Sequence, residues 1–142
     1  MEAVVLCGLQ GSGKTTLYRD RFVETHVRIS MDLLRTRHRE SELLRLCLRT
    51  QMRFLVDNTN PTAADRRRYV EPARAARFRV VGYLVEADVP QSANAPPHAA
   101  VMTARRFVRP TLEEGFDELW HATAAPGGGW RIEPLLTTPP LF

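Results

Sequence analysis

A glycine-rich turn near the amino terminus constrains the fold more than any other feature of this sequence. An apolar run, Glu2–Cys7, leads directly into Gly8–Thr15 (GLQGSGKT), and a segment with helical spacing follows. The turn matches the pattern G-x-x-x-x-G-K-[ST] in the strand–loop–helix context that this pattern requires. Backbone N–H groups in such a loop close around phosphate oxygens, and the start of the next helix adds a positive end. The sequence therefore predicts a phosphate-binding loop between a buried strand and a helix.

The residues of this loop have separate roles in the predicted site. Lys14, the single lysine beside 19 arginines, would reach the β- and γ-phosphates of a nucleoside triphosphate, and the Thr15 hydroxyl would ligate Mg²⁺. We therefore expect ATP and Mg²⁺ as cofactors. The residues expected to hold the nucleotide are Gly8, Gly11, Ser12, Gly13, Lys14, Thr15 and Thr16.

Strand-like and helix-like segments alternate along the rest of the chain. Short β-rich runs at His26–Ser30, Arg53–Asp57 and Phe78–Val85 are separated by segments with helical spacing. This alternation is typical of a three-layer α/β fold of the phosphate-loop class with a mainly parallel sheet, for which we expect four or five strands. Further helices are expected at His98–Val108 and over the stretch from Pro110 to His121.

The composition indicates one soluble domain. The chain has 142 residues, of which 44% are hydrophobic and 25% charged, which is enough to bury a core. We assign residues 1–125 to a phosphate-loop domain and 126–142 to a tail that could add an edge strand. No apolar run approaches the ~20 residues that cross a bilayer, and the phosphate loop begins at Gly8. We therefore expect a cytoplasmic protein without a leader peptide or membrane partner.

Charge and cysteine usage add less. The net charge is +4 and the pI about 9.7, which favours an acidic partner only weakly. Cys7 and Cys47 have neither disulfide nor metal-ligand spacing. Arg66–Arg68 could contact nucleic-acid phosphates or form a solvated, ion-paired helix face. Trp120, Trp130 and Phe142 could stack on a base or pack the tail.

Two aspartates follow predicted strands and are candidates for chemistry. Asp32 could accept the proton of an attacking hydroxyl, and Arg35, one helical turn later, could hold a phosphate of the acceptor. From the residues alone, Asp32 could equally cap a helix and Arg35 could be a solvated charge. Asp57 ends the third strand, where phosphate-loop proteins place an acid that holds Mg²⁺. A phosphate loop also fits a GTPase or a motor, but a guanine-specifying N-K-x-D motif is missing from the sequence.

Several segments together resemble the 5′-kinase domain of polynucleotide kinase, both the phage type and the kinase half of the animal kinase-phosphatase. They are, in order, GLQGSGKTT at 8–16, DLLR at 32–35, DNTNP at 57–61, RYV at 68–70 and PTLEEGF at 110–116. The resemblance covers roughly residues 3–118. It implies transfer of the γ-phosphate of ATP to the 5′-hydroxyl end of DNA or RNA. Asp32 would be the general base, Arg35 would touch the acceptor phosphate, and Lys14 would act on the transferred phosphate.

The sequence departs from this family at two places. Met31 stands where the family usually has an arginine, and Val89–Pro97 replaces an arginine-rich lid with a shorter stretch that has no arginine. Arg105, Arg106 and Arg109 follow and could substitute, or they could be a solvated helix face.

Two alternatives to a polynucleotide kinase stay open at this point. One is a small-molecule kinase on the same fold, and the other is a nucleotide-binding module with little catalysis because of the reduced lid. Many members of the family are fused to a phosphatase or ligase. Since this chain carries neither, we expect a separate enzyme to supply those steps.

Overall fold

A computed structural model describes residues 1–87 and 105–135 of the chain. Strands and helices alternate through both ranges. The elements are β1 Glu2–Cys7, α1 Lys14–Arg21, β2 Val27–Ile29, α2 Met31–Leu34, α3 Arg37–Thr50, β3 Phe54–Asp57, α4 Ala63–Ala75, β4 Arg79–Glu86, a one-turn 3₁₀ helix Leu112–Glu114, β5 Glu118–Ala124 and β6 Trp130–Pro134. Among the described residues, no helix is both long and apolar enough to span a membrane.

The strands form one sheet in the order β2-β3-β1-β4-β5-β6. Strands β1 to β5 run parallel, and β6 pairs antiparallel with β5. The expected α/β fold with a mainly parallel sheet is thus confirmed. The described residues supply six strands where four or five were expected, and β6 comes from the segment that we assigned to the tail.

The prediction of a helix between Pro110 and His121 is wrong. Only Leu112–Glu114 forms a helical turn, which Gly115 ends with a φ of 110°, and β5 follows. In β5, Leu119 joins the core on one face of the sheet and Ala122 joins the core on the other, as period-two alternation requires. The reduced lid at Val89–Pro97 and most of the helix expected at 98–108 lie outside the described residues.

Helices cover both faces of the sheet and give three layers. On β1, Ala3, Val5 and Cys7 pack towards α3 and α4, whereas Val4 and Leu6 pack towards α1. All five side chains have no exposed surface, which explains why this strand reads as a continuous apolar run.

The register of the central strands sets the position of the site. Leu6 of β1 lies opposite Asp57 of β3, so both strands end at the same edge. β1 also separates β3 from β4, and ligands of open parallel sheets bind at the carboxyl ends of the strands, beside such a point. The loop from Gly8 to Gly13 occupies that place.

Candidate active site

The phosphate loop follows β1 tightly because glycine alone fits at its two ends. A Cβ on Gly8 would lie 2.5 Å from the backbone oxygen of Val85, so a side chain there would collide with β4. Gly13 precedes α1 with a φ of 102°, in the left-handed region that favours glycine. The first N–H groups of α1 therefore face the cleft without helical partners, as an anion site requires.

The Lys14 side chain folds back onto the phosphate loop. Its Nζ donates to the backbone oxygens of Gly8 at 2.9 Å and Leu9 at 3.1 Å. Burial lowers the pKa of Lys14, while Asp57 and Asp32 nearby raise it. Lys14 thus lies close enough to both predicted site aspartates to interact with their charges.

Thr15 and Asp57, the two predicted metal ligands, are in direct contact. The Thr15 hydroxyl donates to Asp57 Oδ2 at 2.9 Å, and Arg28 Nε donates to the same oxygen at 2.9 Å. A hydroxyl beside a carboxylate is a hard oxygen pair of the kind that Mg²⁺ prefers, and Mg²⁺ usually keeps waters and phosphate oxygens as its other ligands. The donor set therefore fits Mg²⁺. No group of three or more His, Cys, Asp or Glu side chains that could hold a metal occurs in the described residues.

Asp32 lies at the mouth of the same cleft, which has a volume of about 730 Å³. It is the second residue of α2, and its side chain is exposed. The structure thus brings it together with the phosphate loop and Asp57. The residues that line the cleft are Gln10, Gly11, Gly13, Lys14, Thr15, Thr16, Met31, Asp32, Arg37, Asp57, Asn58, Thr59, Asn60, Pro61, Asp65, Arg68 and Arg106.

Arg35 is not among these lining residues. The argument that one helical turn puts it on the face of Asp32 fails, because α2 ends at Leu34 and Arg35 has a φ of 75°. Its contact with an acceptor phosphate stays a prediction.

Three other arginines face the cleft instead. Arg37 comes from the start of α3, Arg68 from α4, and Arg106 from the segment after the undescribed residues. Arg106 lies 3.6 Å from Asp65, whereas Arg109 pairs with Glu86 at the same distance and does not line the cleft. Of the arginines proposed as lid substitutes, Arg106 is therefore the one that the structure places at the site.

The turn after β3 is hydrogen-bonded to the end of β1 and the start of the phosphate loop. Gly8 N–H donates to the Thr59 oxygen at 3.1 Å, and Asn60 Nδ2 donates to the Leu6 oxygen at 2.8 Å. Asn60 has a φ of 48°, a left-handed conformation that asparagine tolerates better than most residues. The polar run at Asp57–Asn60 thus serves both as a turn and as a brace for the loop.

Glu40 and Tyr69 are functional candidates to which the sequence analysis assigned no role, although Tyr69 lies in the segment 68–70 that carries the resemblance. Both are 1% exposed, and both contact Asn58 of the cleft. The available signal was helical spacing: Glu40, Leu44 and Cys47 recur at i, i+4 and i+7 and form the buried face of α3. A carboxylate on such a face needs polar partners in the core.

Comparison with curated proteins gives one informative relative. The chain is 28% identical over 129 residues to the bifunctional polynucleotide phosphatase/kinase of Schizosaccharomyces pombe. The match covers 81% of this chain and 32% of the relative, so the chain spans about a third of that protein's length. No family model matches.

Solved structures with the same fold are more distant in sequence. Kti12 of Chaetomium thermophilum, solved with ADP-AlF3, superposes with a TM-score of 0.62 at 16% identity, over 84% of this chain and 87% of that one. A gluconokinase of Sinorhizobium meliloti gives 0.58 at 13%, over 88% and 84%. The APS kinase CysC of Mycobacterium tuberculosis, solved with AMPPNP and APS, gives 0.53 at 17%, over 86% and 87%. The chain has the fold of the P-loop kinases.

Proposed function

We propose that this protein is an ATP-dependent polynucleotide 5′-hydroxyl kinase that needs Mg²⁺. The observation that carries the proposal is the cleft, where the phosphate loop, the Thr15–Asp57 pair and the Asp32 carboxylate converge beside three arginines. The relative from fission yeast supports a polynucleotide acceptor, and the ligands named for the solved structures with this fold support a nucleotide donor.

The geometry suggests how the residues divide the work. Lys14 and the first N–H groups of α1 stabilise the charge on the transferred phosphoryl group. Asp32 accepts the proton of the 5′-hydroxyl as that oxygen attacks in line. Thr15 and Asp57 would hold Mg²⁺, which supplies further charge neutralisation when bound. Arg37, Arg68 and Arg106, which line the cleft, would contact phosphates of a polyanionic acceptor.

Phosphate transfer to a defined strand tests this function. Labelled γ-phosphate should pass from ATP to a short 5′-hydroxyl oligonucleotide in the presence of Mg²⁺, and not to the same strand with a 5′-phosphate. Asp32→Asn should lower the rate by about 10²-fold or more, because it removes the base, and should leave ATP affinity nearly unchanged. Glu42→Gln, an exposed carboxylate of α3 that pairs with Arg45, is the matched control and should transfer normally.

The failures of this experiment are informative. Label on a sugar or nucleoside hydroxyl, with none on the oligonucleotide, would replace the proposal with a small-molecule kinase. ATP binding without transfer to any acceptor would indicate a nucleotide-binding module. Near-normal transfer by Asp32→Asn would remove Asp32 as the base.

A further inference from the structure

A polar network centred on the buried residues Glu40 and Tyr69 lies behind the cleft, and the chemistry above gives neither of these two residues a step. Glu40 accepts from Arg37 at 2.7 Å through Oε1, and from Asn58 Nδ2 at 3.0 Å and the Tyr69 hydroxyl at 2.9 Å through Oε2. The Tyr69 oxygen in turn accepts from Asn58 Nδ2 at 3.0 Å and from Arg37 at 3.2 Å. Burial raises the pKa of Tyr69, and the neighbouring Glu40 raises it further, so the hydroxyl keeps the proton that it donates.

This network fixes which way the Asn58 amide points. Its nitrogen must face the Glu40 carboxylate, since an amide oxygen has no proton to donate there. The amide oxygen is thereby turned to the opposite side, where it accepts the Met31 N–H at 2.9 Å. A flipped amide would lose the bonds to the Glu40 carboxylate and to the Met31 N–H.

The Met31 N–H is the first of α2, the short helix that carries Asp32. Such an N–H has no partner inside its helix, and a cap side chain at the preceding position would bond the second or third N–H of the helix and leave this one unbonded. Ser30 occupies that position, but it makes no capping bond, and its buried hydroxyl has no hydrogen-bond partner among the described residues. A helix of four residues is not stable alone. Asn58, from the turn after β3, therefore gives the first N–H of α2 a partner, at a helix end where Ser30 makes no capping bond.

A buried carboxylate such as that of Glu40 is weak evidence for added stability, since apolar side chains of similar size commonly stabilise a core as well or better. The effect of the network is therefore the orientation of Asn58. We propose that Glu40 and Tyr69 are positioning residues that orient Asn58 and, through it, hold α2 and the Asp32 carboxylate at the mouth of the cleft. The inference rests on the proposed function for the role of Asp32.

A double-mutant cycle separates positioning from general support of the fold. Tyr69→Phe removes the hydroxyl and keeps the ring. We expect it to lower kcat for oligonucleotide phosphorylation by about tenfold with the KM for ATP unchanged, and to lower kcat less than about twofold further in Asp32→Asn, where the base is already gone. Glu40→Gln should behave in the same way. Tyr18→Phe, which loses a bond to the His26 oxygen away from the cleft, is the control and should keep its kcat.

A second readout does not depend on activity. Amide hydrogen exchange of Met31–Leu34 should become faster in Tyr69→Phe and Glu40→Gln, while exchange in β1 and β3 stays as in the unmodified protein. Unchanged exchange at α2, or an equal loss of kcat in the presence and absence of the Asp32 carboxylate, overturns the inference. If the unmodified protein phosphorylates no oligonucleotide, the proposed function falls, and exchange at α2 alone decides whether the network holds this helix.

Discussion

Gly13 shows how little the phosphate loop can change. Its φ is 102°, and a Cβ there would lie 3.2 Å from the Trp130 ring. Because alanine would strain the backbone at the start of α1, we expect Gly13→Ala to weaken ATP binding by about tenfold or more in titration calorimetry.

Gly115 is the control for this substitution. It has a φ of 110°, and its Cβ would lie 2.9 Å from the Arg74 side chain, away from the cleft. Gly115→Ala should therefore lower the unfolding temperature and leave ATP affinity intact. Equal loss of affinity in both variants would mean that the effect at Gly13 is not local.

His26 should make stability depend on pH. It is buried between Thr25 and Glu2, and burial lowers its pKa below the usual 6.5, although the hydrogen bond and charge of Glu2 oppose the shift. As the pH falls through 6.5, His26 becomes protonated in the unfolded chain but stays neutral in the folded chain. The free energy of unfolding therefore falls. Urea unfolding at pH 7.5, 6.5 and 5.5 should show this decrease.

Two variants attribute this slope. His26→Gln should flatten the dependence below pH 6.5, whereas His38→Gln, at an exposed position of α3, should keep it. A slope that persists unchanged in His26→Gln would assign it to other groups.

The sequence predicted those site residues that belong to a recognisable local pattern. Thr15 belongs to a contiguous motif, and Asp57 ends an apolar run, so each could be singled out although 42 residues separate them; the structure adds their 2.9 Å contact. Arg28 and Glu40 could not be found in this way. Their partners lie 29 and 18 residues further along the chain, and only the packed sheet brings them together.

The three consecutive arginines of α4 point in three directions. Arg66 is fully buried and forms two bonds to the Glu114 carboxylate, at 2.7 and 3.0 Å, and one to the Asn60 oxygen at 2.9 Å. Removing one partner of a buried pair leaves an uncompensated charge, so Arg66→Ala should lower the free energy of unfolding by about 3–5 kcal/mol in urea. A loss below about 1 kcal/mol would contradict this assignment, and Arg66→Met with Glu114→Leu should recover part of it.

Arg68 and Arg67 form a matched pair on the same helix. Both are exposed, but only Arg68 lines the cleft. If the acceptor is a polynucleotide, Arg68→Ala should weaken binding of a single-stranded oligonucleotide and reduce the salt dependence of log K by about 0.7, the value for one phosphate contact. Arg67→Ala should change neither. Equal effects would indicate that net charge alone, and no defined contact, attracts the strand.

Strand β5 marks the limit of reading elements from local pattern. Thr111 and Glu114 do form the capping box that favours a helix there. The helix stops after one turn because Gly115 takes a positive φ and Arg74 binds its oxygen at 2.8 Å. The next residues then pair with β4, from Val81 opposite Glu118 onward, and that pairing could not be seen in the sequence.

The molecule as a whole was predictable in class and less so in arrangement. An apolar strand, a phosphate loop and alternating segments suffice for a parallel sheet with a site at its carboxyl edge. β6 returns beside β5 through a short turn, but its contacts with α1 and the phosphate loop are long-range: Trp130 packs next to Gly13 and donates to Asp20 at 3.1 Å. The last described strand thereby contacts the loop that follows the first.

The rate at which the two buried cysteines react with a thiol reagent reports how often the structure opens. Cys7 ends β1 just before the phosphate loop, and Cys47 lies on the inner face of α3; neither has any exposed surface. Burial raises the pKa of Cys7 to about 12 and raises that of Cys47 as well, and only the thiolate is the nucleophile that attacks an alkylating reagent. Thiol labelling should therefore proceed only when the centre of the sheet opens, and a nucleotide, if it binds beside Gly8 as proposed, should slow the labelling in proportion to its occupancy.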